Sequence, residues 1–460
     1  MRRVGLSLGI VVTLVCIWLP VVSVTAQRPL AAPTATLGAE DLYDPNQLQD
    51  IWIRINARDW AKLREHYMDN TYYPCEIEWN GLTVYNVGIR SRGRASRSEH
   101  KPALRIDFNR YHEEQQFLGL KSLLLDNLWQ DPSMIRERLA MLVFQRMGLP
   151  APRETHARVY IGSAREFAGV YGVVESIDKP FLRHQFDQDE GFLYQYQWLD
   201  AYHFEDRSDL DWYAKRFEPK THESDSTFNL FAPIRTLVHA VNDARESDLE
   251  AALAPYLNLR KFITHLAVDN FLSQPDGFLG AVGMSNFFLY RFARSDSWQV
   301  IPWDQDLAFA AVEEPHPPTR FDENVLSKKI WAVPELRDAY LRTLVEIAAS
   351  VGPPPATPDL MDPSTRQCPP LSGQPPCGWL EEEVFREYAQ IREAALTDPL
   401  TPYSNETFEQ EIEFLKRFAR QRGSVVRRLV AEIAPELAAL PQGTISNTFR
   451  SRNRQIRTPE

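Results

Sequence analysis

Apolar and polar positions alternate through the first third of the chain and then change period. Ile51, Ile53 and Ile55 alternate with Trp52 and Arg54, the pattern of a half-buried strand. Tyr73 to Trp79 and Leu82 to Ile89 read as two more strands around Asn80-Gly81. That dipeptide suits a type I′ turn, whose central residues both need positive φ. Ala103 to Phe108 is a further strand, and Ala157–Ile161 and Val170–Glu175 form a pair joined at Gly162-Ser163. Between them Ile135, Leu139, Leu142 and Val143 make a helical stripe. This helix is predicted to open at Asp131-Pro132-Ser133, with Asp131 or Ser133 as cap, and to stop at Gly148. After Glu175 the pattern turns helical, in a run within 246–272 and again over 334–350 and 379–436. Short strands at Phe287–Phe292 and Trp298–Ile301 interrupt it. The expected architecture is α+β and two-lobed, with a β-rich N-lobe over 46–178 and a mainly helical C-lobe over 179–440.

The ends read differently. Arg2 and Arg3 precede an apolar stretch broken by Pro20, and Val24-Thr25-Ala26 is a small-residue cleavage site. Residues 1–26 are therefore expected to be a signal peptide, giving a secreted or cell-surface protein. The stretch is also nearly long enough to span a membrane if it stays uncleaved, and membrane attachment is expected only in that case. Residues 27–45 read as a linker. Nine prolines between 353 and 376 mark a surface loop at 351–378. In an oxidising compartment Cys368 and Cys377 of that loop are expected to pair, leaving Cys75 as a buried thiol in a strand. The tail 441–460, with Arg450, Arg452, Arg454 and Arg457, is expected to be disordered. Hydrophobic residues make up 44% of the 460 and charged residues 25%, which suits a globular chain. The formal charge of −11 argues against nucleic acid as a partner.

The chemistry concentrates between 269 and 310. Strand-end carboxylates Asp304 and Asp306, at i and i+2, can share a cleft and hold a hard cation such as Mg²⁺ or Mn²⁺. Upstream lie Asp269, Asp276 and, opening a strand, Asn286. A loop Asp, an Asn and a strand-end Asp occur in this order in kinase-type phosphotransferases, where the first orients the acceptor and the others hold the metal on ATP. Asp276 is the candidate base and Asp269 its rival. The β-rich lobe supplies cations in Arg90-Ser91-Arg92-Gly93-Arg94-Ala95-Ser96-Arg97, a small-residue loop suited to phosphate oxygens. Arg92, Arg94 and Lys101 are the candidate phosphate contacts. Glu137 is placed to pair with Lys101 or to sit on the helix surface. Glu175 ends a strand where the lobes would join, either contacting nucleotide or capping Ser176-Ile177-Asp178.

These segments resemble the CotH family, the spore-coat protein H group of atypical kinases. The resembling stretches are IRSRGRAS…KPALRIDF, LLLDNLWQDPSMIRERLAMLVFQRMGLPAPR, GVYGVVESIDKPFL, GFLYQY, FEPKT and SNFFLY…WQVIPWDQDLAF, together about residues 48–310. The resemblance implies a kinase-like fold with a nucleotide cleft between two lobes, and metal-dependent phosphate transfer from ATP to protein Ser/Thr. By motif position it implies Asp304 as the metal-holding acid, Asn286 as a second ligand and Asp276 as the catalytic acid. Two departures stand out: no glycine follows PWDQD in LAFAAVEEP, and the loop GFLGAVGMS between Asp276 and Asn286 is lengthened. Two other readings are a non-catalytic envelope-assembly or binding protein of the same fold, and nucleotide-dependent transfer to a non-protein acceptor.

Overall fold

The computed structural model describes residues 37–313, 319–352 and 377–438, together with Met1. The expected signal segment, most of the linker, most of the proline-rich loop including Cys368, and the basic tail lie outside the described residues. Cys377 is disulfide-bonded. Cys75 is free and buried, and burial raises its thiol pKa.

Seven strands among the described residues close into a barrel: β1 (Gln49–Ile55), β2 (Tyr73–Trp79), β3 (Leu82–Ser91), β4 (Leu104–Asp107), β5 (Ser122–Asp126), β6 (Glu154–Ile161) and β7 (Glu166–Val174). Their order is β1-β2-β3-β4-β5-β7-β6. The parallel pairing of β1 with β6, Ile51 opposite Val159, closes it. The alternation read in β1 is real, with Ile51, Ile53 and Ile55 buried and Asp50 and Arg54 exposed. Asn80 and Gly81 both take positive φ, 46° and 78°, as their turn requires.

Helices α1 (Ala39–Leu42), α2 (Ala57–Glu65) and α3 (Arg136–Arg146) accompany the barrel. α1 lies in the stretch expected to be a linker; Leu42 and Tyr43 are buried, so the chain is anchored there before the barrel begins. α3 starts later than its expected cap. Asp131 Oδ1 accepts the Ser133 N–H at 2.9 Å and Met134 takes φ 63°, so a turn precedes the helix. Asp131 still serves the first turn, its Oδ2 accepting the Arg136 N–H at 2.8 Å.

The rest of the fold is a sheet backed by helices: α4 (Lys179–Phe186), β8 (Phe192–Tyr196), α5 (Leu210–Ala214), β9 (Phe217–Pro219), α6 (Thr227–Asp243), α7 (Leu249–Leu253), α8 (Leu259–Phe271), β10 (Phe287–Arg291), β11 (Trp298–Pro302), α9 (Val325–Ala332), α10 (Pro334–Val351), α11 (Trp379–Leu396), α12 (Asn405–Ile433) and α13 (Pro435–Ala438). The sheet order is β11-β10-β8-β9. The run expected within 246–272 is broken, and Asn258 restarts it as α8 by accepting the Lys261 N–H. One apolar cluster joins the barrel to this sheet: Leu124 and Val174 of the barrel pack with Phe181, Leu193, Phe288, Ile301 and Trp303. That junction brings the end of β5 towards the end of β11.

Candidate active site

The β10–β11 pair positions two expected site residues. Asn286 precedes β10 and Asp304 follows β11, while Phe287 pairs with Pro302 and the Trp303 N–H donates to the Asn286 carbonyl at 3.2 Å. Asn286 and Asp304 both hold φ 53°, a conformation that Asn and Asp tolerate better than most residues and that clusters at functional sites. Asn286 Nδ2 donates to Asp276 Oδ2 at 3.0 Å. Two glutamines tie the loops together. Asp276 N–H donates to Gln274 Oε1 at 3.0 Å, and Gln274 Nε2 donates to Gln305 Oε1 at 3.0 Å. Asp276, Asn286, Asp304 and Asp306 therefore share one site. Asp269 does not join them. It is buried in the core, where its Oδ2 accepts the Phe278 N–H at 3.3 Å.

Negative charge dominates the site. Asp304 is raised to about 6, first by desolvation and then by Asp126 and Asp276, against Arg92 and a hydrogen bond from Asp306. Its own surface is exposed although protein surrounds its carboxyl, so it is accessible from solvent. Asp306 and Glu137 are pushed well above the usual carboxyl range by burial and by neighbouring acids: Asp304, Glu137 and Asp126 act on Asp306, and Glu154, Asp126 and Asp304 on Glu137. Burial also raises Asp276, while hydrogen bonds from Ser285 and Asn286 oppose the rise.

The cations divide sharply. Arg92 reaches the cleft, 3.2 Å from Asp126 and over the Trp303 ring at 5.7 Å. Arg94 donates to the Trp198 carbonyl and lies over that indole at 5.8 Å, bridging the basic loop to the residues after β8. Lys101 corrects the sequence reading. It is fully buried, and its Nζ bonds Asp398 at 2.8 Å rather than Glu137. An ammonium sequestered by a carboxylate from the α11–α12 connection is not open to phosphate in this conformation. Glu137 is not a helix-surface acid either; it faces Glu154, Asp126 and Asp304. Glu175 is 1% exposed, paired with Arg153 at 2.5 Å and accepting the Arg153 N–H at 3.0 Å. It holds β7 to the start of β6.

Asp126 escaped the sequence reading, although Leu123-Leu124-Leu125-Asp126 repeats the signature of Val300-Ile301-Pro302-Trp303-Asp304, an apolar strand ending in a carboxylate. Gln274 and Gln305 carry no comparable signal.

The residues fit a divalent cation by charge and donor type. No three His, Cys, Asp or Glu side chains among the described residues form a ready-made metal cluster. Mg²⁺ ordinarily takes one or two protein carboxylates and completes its shell with phosphate oxygens and water. Asp304 and Asp306 would supply such carboxylates. Asn286 meets Asp276 through its amide nitrogen, which leaves its amide oxygen as a candidate donor atom. The mutual raising of Asp304, Asp306 and Glu137 marks negative charge short of a counter-ion. A cavity of about 940 Å³ lies elsewhere, among Arg54, Trp60, Arg64, His100 and Pro399.

Fold and cleft together define an α+β protein with an acid-rich groove at the junction of a barrel and a helix-backed sheet. The chain belongs to the CotH kinase protein family, whose model matches residues 89–351. It is similar to the inner spore coat protein H of Bacillus subtilis (strain 168), 23% identical over 385 residues that cover 81% of this chain and 95% of the relative. Among solved structures it is similar to the Helicobacter pylori proinflammatory kinase CtkA. That match has 13% identity and a TM-score of 0.27 over 73% of this chain and 95% of that one, too loose a likeness to bear on the site.

Proposed function

We propose that the chain is an exported, two-lobed CotH-type kinase that transfers a phosphoryl group from ATP to Ser or Thr hydroxyls of a protein, with Mg²⁺ or Mn²⁺. The observation that carries this reading is the meeting of Asp276, Asn286, Asp304 and Asp306 in one cleft whose charge lacks compensation, with Arg92 at its rim. In this reading the barrel is the ATP-facing lobe. Arg92 contacts phosphate, and Arg94 holds the basic loop across the cleft through Trp198. Asp304, Asp306 and Asn286 are the residues that would hold the metal, which when bound neutralises charge on the transferring phosphate. Asp276, fixed by Asn286 and Gln274, orients the acceptor hydroxyl and takes its proton. Its raised pKa makes it a better base than an ordinary surface carboxylate.

The test is transfer of label from γ-labelled ATP to a Ser-rich protein with Mg²⁺ or Mn²⁺. Label with wild type and none with Asp304→Ala or Asp276→Asn supports the reading. ATP turnover without labelled protein moves the acceptor to another chemical class. The name of the relative, an inner spore coat protein, favours a second reading as a non-catalytic assembly component of the same fold. The absence of both turnover and a melting-temperature shift with ATP and metal would favour that reading instead.

A further inference from the structure

Arg422 lies on α12, beyond residue 351 where the family match ends, and its side chain is fully buried. It donates Nε to the Phe271 carbonyl at 2.9 Å, Nη2 to the Asn270 carbonyl at 2.8 Å and Nη1 to the Val312 carbonyl at 2.7 Å. Asn270 and Phe271 close α8, where carbonyls lack helical partners and the helix dipole favours a cation. Val312 belongs to a different segment, the one that leaves Asp304 and Asp306. A planar fork can serve both segments at once, and a lysine point charge cannot match that geometry.

The two segments also bond directly at this crossing. Phe309 N–H donates to the Leu272 carbonyl at 2.6 Å, and Ala310 N–H to the Ser273 carbonyl at 3.3 Å. Ala311 N–H donates to Ser273 Oγ at 3.2 Å. Ser273 and Phe309 hold φ 51° and 64° there, conformations that persist only where the surroundings impose them. The crossing is the root of the Asp276 turn on one side and of the Asp304–Asp306 segment on the other. α12 also reaches this segment indirectly, through Arg136 of α3. Glu411 of α12 pairs with Arg136 at 2.5 Å, and Arg136 Nη1 donates to the Ala308 carbonyl at 3.1 Å.

We propose that Arg422 is a positioning residue for the transfer, setting the spacing between Asp276 and Asp304 from a helix outside the matched family region. The inference rests on the proposed kinase reading. Its test compares the full-length chain with Arg422→Lys, Arg422→Gln and Ser273→Ala. Amide hydrogen exchange is followed in 270–278 and 305–312, Mn²⁺ affinity by paramagnetic resonance with ATP present, and kcat and KM by labelling. In Arg422→Lys, exchange should rise about 10-fold or more in both segments together while the barrel strands stay unchanged. Metal affinity should weaken, and kcat should fall about 10- to 100-fold with the acceptor KM unchanged. Exchange that rises uniformly or only within α12, or a folded Arg422→Lys with wild-type kcat, overturns the proposal. If both Arg422 variants fail to fold, Ser273→Ala decides: a smaller paired rise in exchange supports the crossing, and unchanged exchange overturns it. If wild type transfers no phosphate, the kinase reading fails while the exchange and metal measurements still judge Arg422.

Discussion

Two regions of the protein bury charge and treat it in opposite ways. Where α11 and α12 meet the barrel, acid and base are matched. Lys101 and Asp398 pair at 2.8 Å with both side chains fully buried, and Asp398 also accepts the N–H groups of Val170 and Leu400. Gly169 makes room for it, since a Cβ there would lie 2.4 Å from the Asp398 carboxylate. Arg138 likewise meets Glu387 at 3.4 Å and Gln390 at 2.8 Å. In the cleft, Asp126, Glu137, Asp304 and Asp306 gather with Arg92 as the cation that acts on Asp304 and Glu137. Matched charge joins distant parts of the chain. Unmatched negative charge, with Asp304 reachable from solvent, is what a cation-binding site would need.

The largest break in that contrast is Asp398→Ala. It strands the Lys101 ammonium in the interior and two N–H groups with it, and should lower stability by about 3–5 kcal/mol. Chemical denaturation measures it, and Lys101→Met with Asp398→Leu should recover part of the loss. A loss below about 1 kcal/mol would remove the pair from the structural account. Asp304→Ala is the mirror experiment. Transfer should fall about 100-fold or more, yet the melting temperature should hold or rise, because one of several repelling carboxylates is gone. A melting temperature that falls as far as that of Asp398→Ala would erase the distinction between the two regions.

A smaller effect separates the candidate phosphate contacts. Arg92→Gln removes the cation nearest the cleft acids and should raise the KM for ATP about 10-fold, the range of one charge-assisted hydrogen bond. Arg94→Gln should do less, because Arg94 is already committed to the Trp198 carbonyl. Equal effects from the two would mean that the basic loop acts as a diffuse field.

How much of this was legible in the sequence follows from the range of each signal. Alternation in β1 and the Asn80-Gly81 turn are local, and both stand. Asn286 and Asp304 were legible because a strand-opening Asn and a strand-end acid are local too; the β10–β11 pairing brings these two together, and Asp276 joins through its bond to Asn286. β5 was missed because Leu123–Leu125 is an uninterrupted apolar run before Asp126, and a run buried on both faces shows no alternation. Lys101 was misread because its partner lies 297 positions away, and no pattern around Lys101 announces Asp398. Arg422 escaped for the same reason: it sits in an ordinary amphipathic helix, and its targets are carbonyls, which carry no sequence identity.

Asp269 is a third case, and the smallest effect. It is buried without a matching cation, as the cleft acids are, but it is closed to solvent. Its surroundings are His265 at 3.6 Å, the Phe278 N–H and Gly277, with His265 itself held down to about 3 by burial. A neutral imidazole offers no charge, so burial raises Asp269 to about 7 and the acid keeps its proton. In the unfolded chain an aspartate releases that proton near pH 4. Between about pH 4 and 7 the folded state therefore binds more protons than the unfolded one, and stability should fall as pH rises through that window and then level off. Asp269→Asn mimics the protonated acid and keeps an oxygen for Phe278. Its melting temperature should match wild type near pH 4, decline less between pH 4 and 7, and exceed wild type by about 2–4 °C at pH 8. Parallel melting curves across that range would mean that Asp269 is ionised in the folded protein, and that enclosure alone does not decide whether a buried acid here keeps its proton or waits for a metal.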